Sequence, residues 1–167
     1  MKKAVLMFVL LLAGCATHRH MRQEDVVITT EIDVPKLSTV QSFDTSKTWL
    51  TRHLYSRKKI IEYADEATGV IVANGSITYP AMGKLDAIDK IQYTISFTMQ
   101  EVIKEGEISL TFYDLLLTVP KSYLHSRLQP EAYLGGYTVP VEERSDFEAA
   151  RKGVLELTAK LAEYLNQ

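Results

Sequence analysis

The sequence predicts an α+β fold in which a five-stranded antiparallel sheet carries two helices on one face. Residues 91–102 alternate apolar and polar side chains, as a half-buried strand does. Residues 38–56 and 145–166 instead repeat apolar side chains at helical spacing. Short turns join the middle strands and favour antiparallel pairing, so the predicted order is β-α-β-β-β-β-α.

The first strand is predicted within residues 26–34, which are rich in Thr and Ile and end before Pro35. The first helix follows, because residues 38–56 contain no Pro or Gly. Asp44 is the expected N-cap of this helix, and Phe43 before it is a candidate hydrophobic-staple residue.

The next two strands are predicted at residues 59–64 and 70–79, joined by a tight turn at 65–69. Gly69 closes that turn because glycine adopts a positive φ freely. Asn74-Gly75 predicts either a bulge or a turn within the returning strand. A connecting loop is expected from residue 80 to residue 90.

The strand at 91–102 has one apolar face and one polar face, and a turn at 104–107 leads to the fifth strand at 108–119. The polar face, with Thr94, Ser96 and Thr98, is expected to be open to solvent.

Residues 120–144 contain three prolines and a Gly-Gly pair, and no regular element is predicted there. Loops of this length in compact domains are often functional. The last helix, at 145–166, is predicted to begin with a capping box in which Ser145 is the N-cap and Glu148 the N3 residue.

The N-terminus has the three parts of a secretory signal: two lysines, about ten apolar residues and a small-residue end. The apolar run is too short to cross a bilayer, which needs about 20 residues. Residues 1–14 are therefore expected to be a cleaved signal peptide, 15–24 a tether and 25–167 a single domain.

The segment Leu12-Ala13-Gly14-Cys15 resembles the lipobox of bacterial lipoproteins. The resemblance implies that the Cys15 thiol carries diacylglycerol and that Cys15 becomes the acylated N-terminus. Because Ala16 and not Asp follows, it implies an outer-membrane lipoprotein, expected to face the periplasm. Beyond these acyl groups no cofactor is expected.

The net charge of the chain limits the classes of partner that are expected. The chain has 19 basic and 21 acidic residues, and loss of Lys2 and Lys3 with the signal leaves a net charge of −4. That sign argues against a nucleic-acid partner. Since the single cysteine is assigned to the anchor, the fold is expected to need no disulfide.

No sequence motif of a serine hydrolase, zinc protease or phosphate-binding loop is present, so no catalytic or metal-ligating residues are predicted and no enzyme activity is expected. His53 lies among Arg52, Arg57, Lys58 and Lys59. These cations either complement the end of the first helix or form an anion or headgroup site.

Tyrosines are frequent at binding surfaces, and Tyr113, Tyr123, Tyr133 and Tyr137 are the candidate binding residues. The expected function is a non-enzymatic binding module for an envelope protein or peptide. The alternative is a carrier that holds an apolar or lipidic ligand between sheet and helices. The sequence leaves the oligomeric state open.

Residues 33–119 resemble a bacterial domain of unknown function with a TATA-box-binding-protein-like fold, known from lipoproteins of Bacteroides-like organisms. The resemblance rests on Trp49-Leu50 in the first helix, on the segments 60–63 and 65–71, and on the alternation from Tyr93 to Met99. It implies the fold. It implies no site residues, because the family carries none that are established.

Overall fold

The computed structural model of the protein describes residues 21–80, 93–120 and 136–167. After a short 3₁₀ turn at Gln23–Asp25, the elements are β1 Ile28–Asp33, α1 Thr39–His53, β2 Ile61–Asp65, β3 Val70–Thr78, β4 Thr94–Lys104, β5 Glu107–Val119, β6 Tyr137–Pro140 and α2 Arg144–Leu165.

The strands form one antiparallel sheet in the order β1-β5-β4-β3-β2. β6 lies on the same side of β5 as β1: β1 pairs with Glu107–Phe112 and β6 with Leu116–Val119. The α+β class and the antiparallel sheet with two helices are as predicted, with six strands in place of five.

The core lies between the helices and one face of the sheet. The alternation in β4 buries Ile95, Phe97 and Met99, while the intervening Thr94 and Ser96 stay partly exposed. From α1, Trp49 and Leu50 pack against this face. The large side chains of this layer, among them Ile95 and Phe112, are fully buried.

α1 begins at Thr39, within the predicted range 38–56, but the assignment of Asp44 as its N-cap was wrong. The N-cap is Ser38, whose hydroxyl accepts a hydrogen bond from the Gln41 main-chain N–H at 3.3 Å. In return, the side-chain Oε1 of Gln41 accepts one from the Ser38 main-chain N–H at 3.0 Å. This Ser-x-x-Gln capping box satisfies two amides that would otherwise lack partners. Asp44 lies exposed within the helix.

α2 begins at Arg144, and its N-cap is Glu143, two residues before the predicted Ser145. The Glu143 side chain makes no capping hydrogen bond. The capping box assigned to Ser145 and Glu148 was therefore wrong. The buried Asp146 accepts a 2.7 Å hydrogen bond from the Tyr79 hydroxyl. Asp146 lies in the first turn of α2, where a carboxylate suits the helix dipole.

The turn before β3 has the predicted form, with Gly69 at φ +67°. The Asp65 carboxylate accepts hydrogen bonds from the Ala67 amide at 3.0 Å and the Thr68 hydroxyl at 2.9 Å, and the Thr68 bond is the largest cause of its lowered pKa. Asn74-Gly75, by contrast, forms neither turn nor bulge, since both residues pair in regular register with β4.

β6 falls within residues 120–144, for which no regular element was predicted. All four of its residues are exposed, so no buried face marks it in the sequence, and only its pairing with β5 makes it a strand. The rest of that segment from 121 to 135, the predicted leader, Cys15 and most of the loop at 80–90 lie outside the described residues.

Candidate functional site

A groove of about 280 Å³ lies on the sheet face away from the helices. We call it the outward groove. Its floor comes from β3, β4 and β5, one wall comes from the segment after α1, and β6 closes the far end. Its lining residues are Tyr55, Ser56, Arg57, Lys58, Asn74, Gly75, Ser76, Thr94, Ser96, Phe97, Thr98, Asp114, Leu116, Thr118 and Thr138.

Hydroxyl side chains cross the groove in two rows because the strand registers align them. Ser76 pairs with Ser96, and Thr94 pairs with Thr118, which in turn pairs with Thr138. The Thr118 and Thr138 hydroxyls lie 3.0 Å apart. Each hydroxyl can donate and accept, so the floor offers hydrogen bonds without fixing a charge.

The wall is attached to β3 by main-chain and side-chain bonds. Tyr55 forms an isolated bridge with Ser76, whose hydroxyl donates to the Tyr55 carbonyl at 2.8 Å. The side-chain Nδ2 of Asn74 donates to the Lys59 main-chain carbonyl at 3.0 Å, and its Oδ1 accepts from the Thr98 hydroxyl at 3.3 Å. These bonds explain why Asn74 and Thr98 are buried on a face predicted to be open.

Gly75 leaves room for core side chains beneath the groove. A Cβ built on Gly75 would lie 2.5 Å from the Phe97 Cζ atom and 3.2 Å from a Leu54 methyl. Only glycine therefore permits the Phe97 ring and the chain leaving α1 to approach β3 this closely.

A bulge in β5 adds a strained residue to the groove. The pairing with β4 shifts by one residue between Ser96 and Thr98, and Asp114 on β5 takes φ 51°. The shift keeps Phe112 and Leu115 on the buried face although they are three residues apart. Bulges and left-handed non-glycine residues are enriched at functional sites.

The basic cluster predicted around His53 divides into two parts. The His53 ring stacks on Trp49 at 4.9 Å and its Nδ1 lies 2.9 Å from the Trp49 carbonyl, so it packs on α1. Arg57 and Lys58 instead line the outward groove, where both are exposed. Neither forms an ion pair with any described residue.

The structure describes two of the four predicted tyrosines, Tyr113 and Tyr137, and of these only Tyr137 lines a groove. Tyr113 pairs with Thr98 on the outward face but does not line the outward groove. Tyr137 lies half-exposed on β6 and lines a second groove of about 440 Å³ beside the start of α2, together with Tyr93 and Glu143. Tyr123 and Tyr133 lie outside the described residues.

One buried polar cluster was not predicted. Glu101 on β4 and Ser42 and Ser46 on α1 are fully buried, and their side-chain oxygens have no hydrogen-bond partner in the described structure. Burial raises the pKa of Glu101 to about 8. The Ser46 hydroxyl partly offsets this rise, although no hydrogen bond of normal geometry joins the two groups.

Two signals in the sequence point to this cluster. Glu101 continues the odd-numbered, inward series of β4, and Ser42 and Ser46 are one helical turn apart on the face that also holds Trp49. The Glu101 carboxyl is buried and lines neither the outward groove nor the groove beside α2.

Across residues 21–80, 93–120 and 136–167, no helix is long and apolar enough to span a bilayer. In the same ranges no cluster of three His, Cys, Asp or Glu side chains could hold a metal ion. The outward groove offers hydroxyl donors and acceptors together with two exposed cations.

The family model described as a domain of unknown function (DUF4468) with TBP-like fold matches residues 29–117. A DUF4468 family protein from Bacteroides ovatus has a similar crystal structure, with a TM-score of 0.53 at 15% identity over 84% of this chain and 86% of that chain. The crystal structure of a TBP-like protein from Parabacteroides distasonis is also similar, with a TM-score of 0.52 at 11% identity over 83% of this chain and 91% of that chain. The comparison with curated proteins gives no match.

Proposed function

We propose that this chain, which belongs to the DUF4468 family of domains with a TBP-like fold, is a lipid-anchored envelope protein that binds a protein or peptide without catalysis. The anchor is the lipidated Cys15, and the bound partner lies in the outward groove. The proposed location is the outer membrane, with the domain on its periplasmic side.

The observation that supports this function best is the outward groove itself. It brings together uncharged donors and acceptors from four strands, and Tyr55 at its rim is 77% exposed. Aromatic side chains are enriched at protein interfaces, and tyrosine together with serine is enriched in the binding loops of antibodies. Fold alone would not support a function.

The lipobox motif supports the anchor. The tether at residues 15–24 is short, and the Met21 amide already donates to the Glu142 carbonyl at 2.9 Å. A partner must therefore be reachable within a few residues of the membrane.

The carrier function needs a cavity between the sheet and the helices. There the described structure holds packed side chains such as Phe43, Trp49 and Phe112, all at most 3% exposed. The outward groove consequently has the stronger support.

Affinity capture from detergent-solubilised membranes tests the proposal. The unchanged chain should recover a partner in stoichiometric amount. Ser96→Tyr places a ring in the groove and should abolish recovery, whereas Thr111→Tyr, on the same face of the sheet but outside the groove, should not. Repeated recovery of nothing, or equal recovery with both variants, would contradict the proposed function.

A further inference from the structure

Arg57 and Lys58 are the two cations in the lining of the outward groove, and Asp114 is its one carboxylate among the described residues. Neither cation has an ionic partner in the described structure. The protein as a whole is acidic. Positive charge therefore exceeds negative charge in the groove lining, and the remaining polar groups of the lining are neutral.

From this placement we infer that the outward groove binds an extended acidic peptide segment, with a carboxylate of the segment held by Arg57 and Lys58. The inference rests on the proposed function and names the chemistry of its partner. A guanidinium binds a carboxylate through two parallel N–H donors, and an ammonium adds a compact charge beside it.

The dimensions of the groove match a short extended chain. It crosses β3, β4, β5 and β6, and three interstrand spacings give a length of about 14 Å. An extended chain advances about 3.3 Å per residue, so about four residues fit. Ser76, Ser96 and Thr118 then lie beneath the segment, where their hydroxyls can bond its main-chain N–H and C=O groups.

A membrane surface is the alternative partner for exposed cations near a lipid anchor. It fits less well, because the two cations belong to the wall of a groove that also contains Asp114. A bilayer surface cannot enter a groove, and headgroup attraction grows with the number of basic residues that face the membrane together. Only two line this site.

A displayed library of short random peptides provides the test, with the full chain carrying Cys15→Ser as bait. The expected result is enrichment of Asp and Glu, with about tenfold weaker binding of the selected peptides to Arg57→Gln/Lys58→Gln and loss of binding at high salt. Lys36→Gln/Lys160→Gln removes the same charge at exposed positions outside the groove and should bind as the unchanged chain does.

Three outcomes would overturn the inference: no enrichment, enrichment without an acidic bias, or acidic peptides that bind the Arg57/Lys58 double variant equally well. Sedimentation with vesicles of phosphatidylethanolamine and phosphatidylglycerol tests the membrane alternative. Vesicle binding that depends on Arg57 and Lys58, without selection of acidic peptides, would also overturn it.

The partner capture described above separates this inference from the proposed function. An envelope protein captured equally by Arg57→Gln/Lys58→Gln would contradict the carboxylate site and leave the binding function standing. Selection of acidic peptides without any captured envelope protein would contradict the proposed function and leave the carboxylate site standing.

Discussion

The Glu101 carboxyl lies between β4 and α1, and burial raises its pKa from an ordinary 4.5 to about 8. In the unfolded chain the same group releases its proton above about pH 4.5. Between these values the folded state binds more protons, so the free energy of unfolding falls as pH rises. Above about pH 8 both states are ionised and this contribution stops changing.

We therefore predict that stability decreases from about pH 5 to pH 8, by as much as about 5 kcal/mol from this group. Glu101→Gln has no titrating group at this position, so its free energy of unfolding should fall less between pH 5 and pH 8. The measurement is urea unfolding of both proteins at a series of pH values, since their other titrating groups are shared. Parallel curves for the two proteins would contradict the assignment.

A second prediction at Glu101 concerns its lack of partners. An unpaired buried polar group costs about 1–3 kcal/mol, and an apolar side chain of similar shape avoids that cost. Glu101→Met should therefore raise the free energy of unfolding at neutral pH by about 2 kcal/mol. The control is the exposed Glu105→Met, which should change stability by less than about 0.5 kcal/mol. A less stable Glu101→Met protein would mean that the carboxyl has a stabilising role.

At the scale of the elements, two turns contain glycine with positive φ: Gly69 before β3 at 67° and Gly106 before β5 at 77°. They differ in their surroundings. A Cβ on Gly69 would overlap the Ile103 carbonyl oxygen, whereas a Cβ on Gly106 meets nothing within 4 Å. Both sites lose the conformational freedom of glycine on substitution, but only Gly69 adds a clash with main chain.

Gly106→Ala should therefore destabilise the fold by about 1 kcal/mol, the cost of a left-handed non-glycine residue. Gly69→Ala should cost at least about 2 kcal/mol, because the Gly69 amide and carbonyl region must also move away from β4. Urea unfolding at a single pH gives both values. Equal losses would show that the Ile103 carbonyl moves aside easily.

The sequence predicts those elements in which local pattern and packing agree. The alternation in β4 reports directly which side chains face the core, and the structure buries Ile95, Phe97 and Met99 as expected. The start of a helix is harder to predict when two residues nearby can both act as the N-cap. Ser38 and Asp44 are such a pair, and the reciprocal hydrogen bonds with Gln41 favour Ser38. β6 depends on a partner strand distant in sequence, which no local pattern shows.

For the whole molecule, the same reasoning explains why the outward groove could be predicted only in part. A polar sheet face follows from the alternation of Thr94 and Ser96 with apolar residues. The wall does not follow, because it requires Tyr55 to meet Ser76, and the end of the groove requires Thr118 to meet Thr138. The positions of Tyr113 and Tyr137 could not be predicted for the same reason: residue type alone does not say which face of the sheet a side chain occupies.

The last prediction concerns how the whole protein is held in the cell. If Cys15 is the lipidated N-terminus, the acyl chains supply the membrane affinity, since the apolar run before it is too short to span. Cys15→Ser removes the only thiol that can accept diacylglycerol. The variant should move from the membrane to the aqueous fraction, and Thr17→Ser, which keeps the cysteine, should stay with the membrane. Intact mass of the unchanged protein should correspond to a chain that begins at an acylated Cys15. Membrane retention of Cys15→Ser, or a mass that includes residues 1–14, would contradict the anchor and with it the requirement that the partner lie near the membrane.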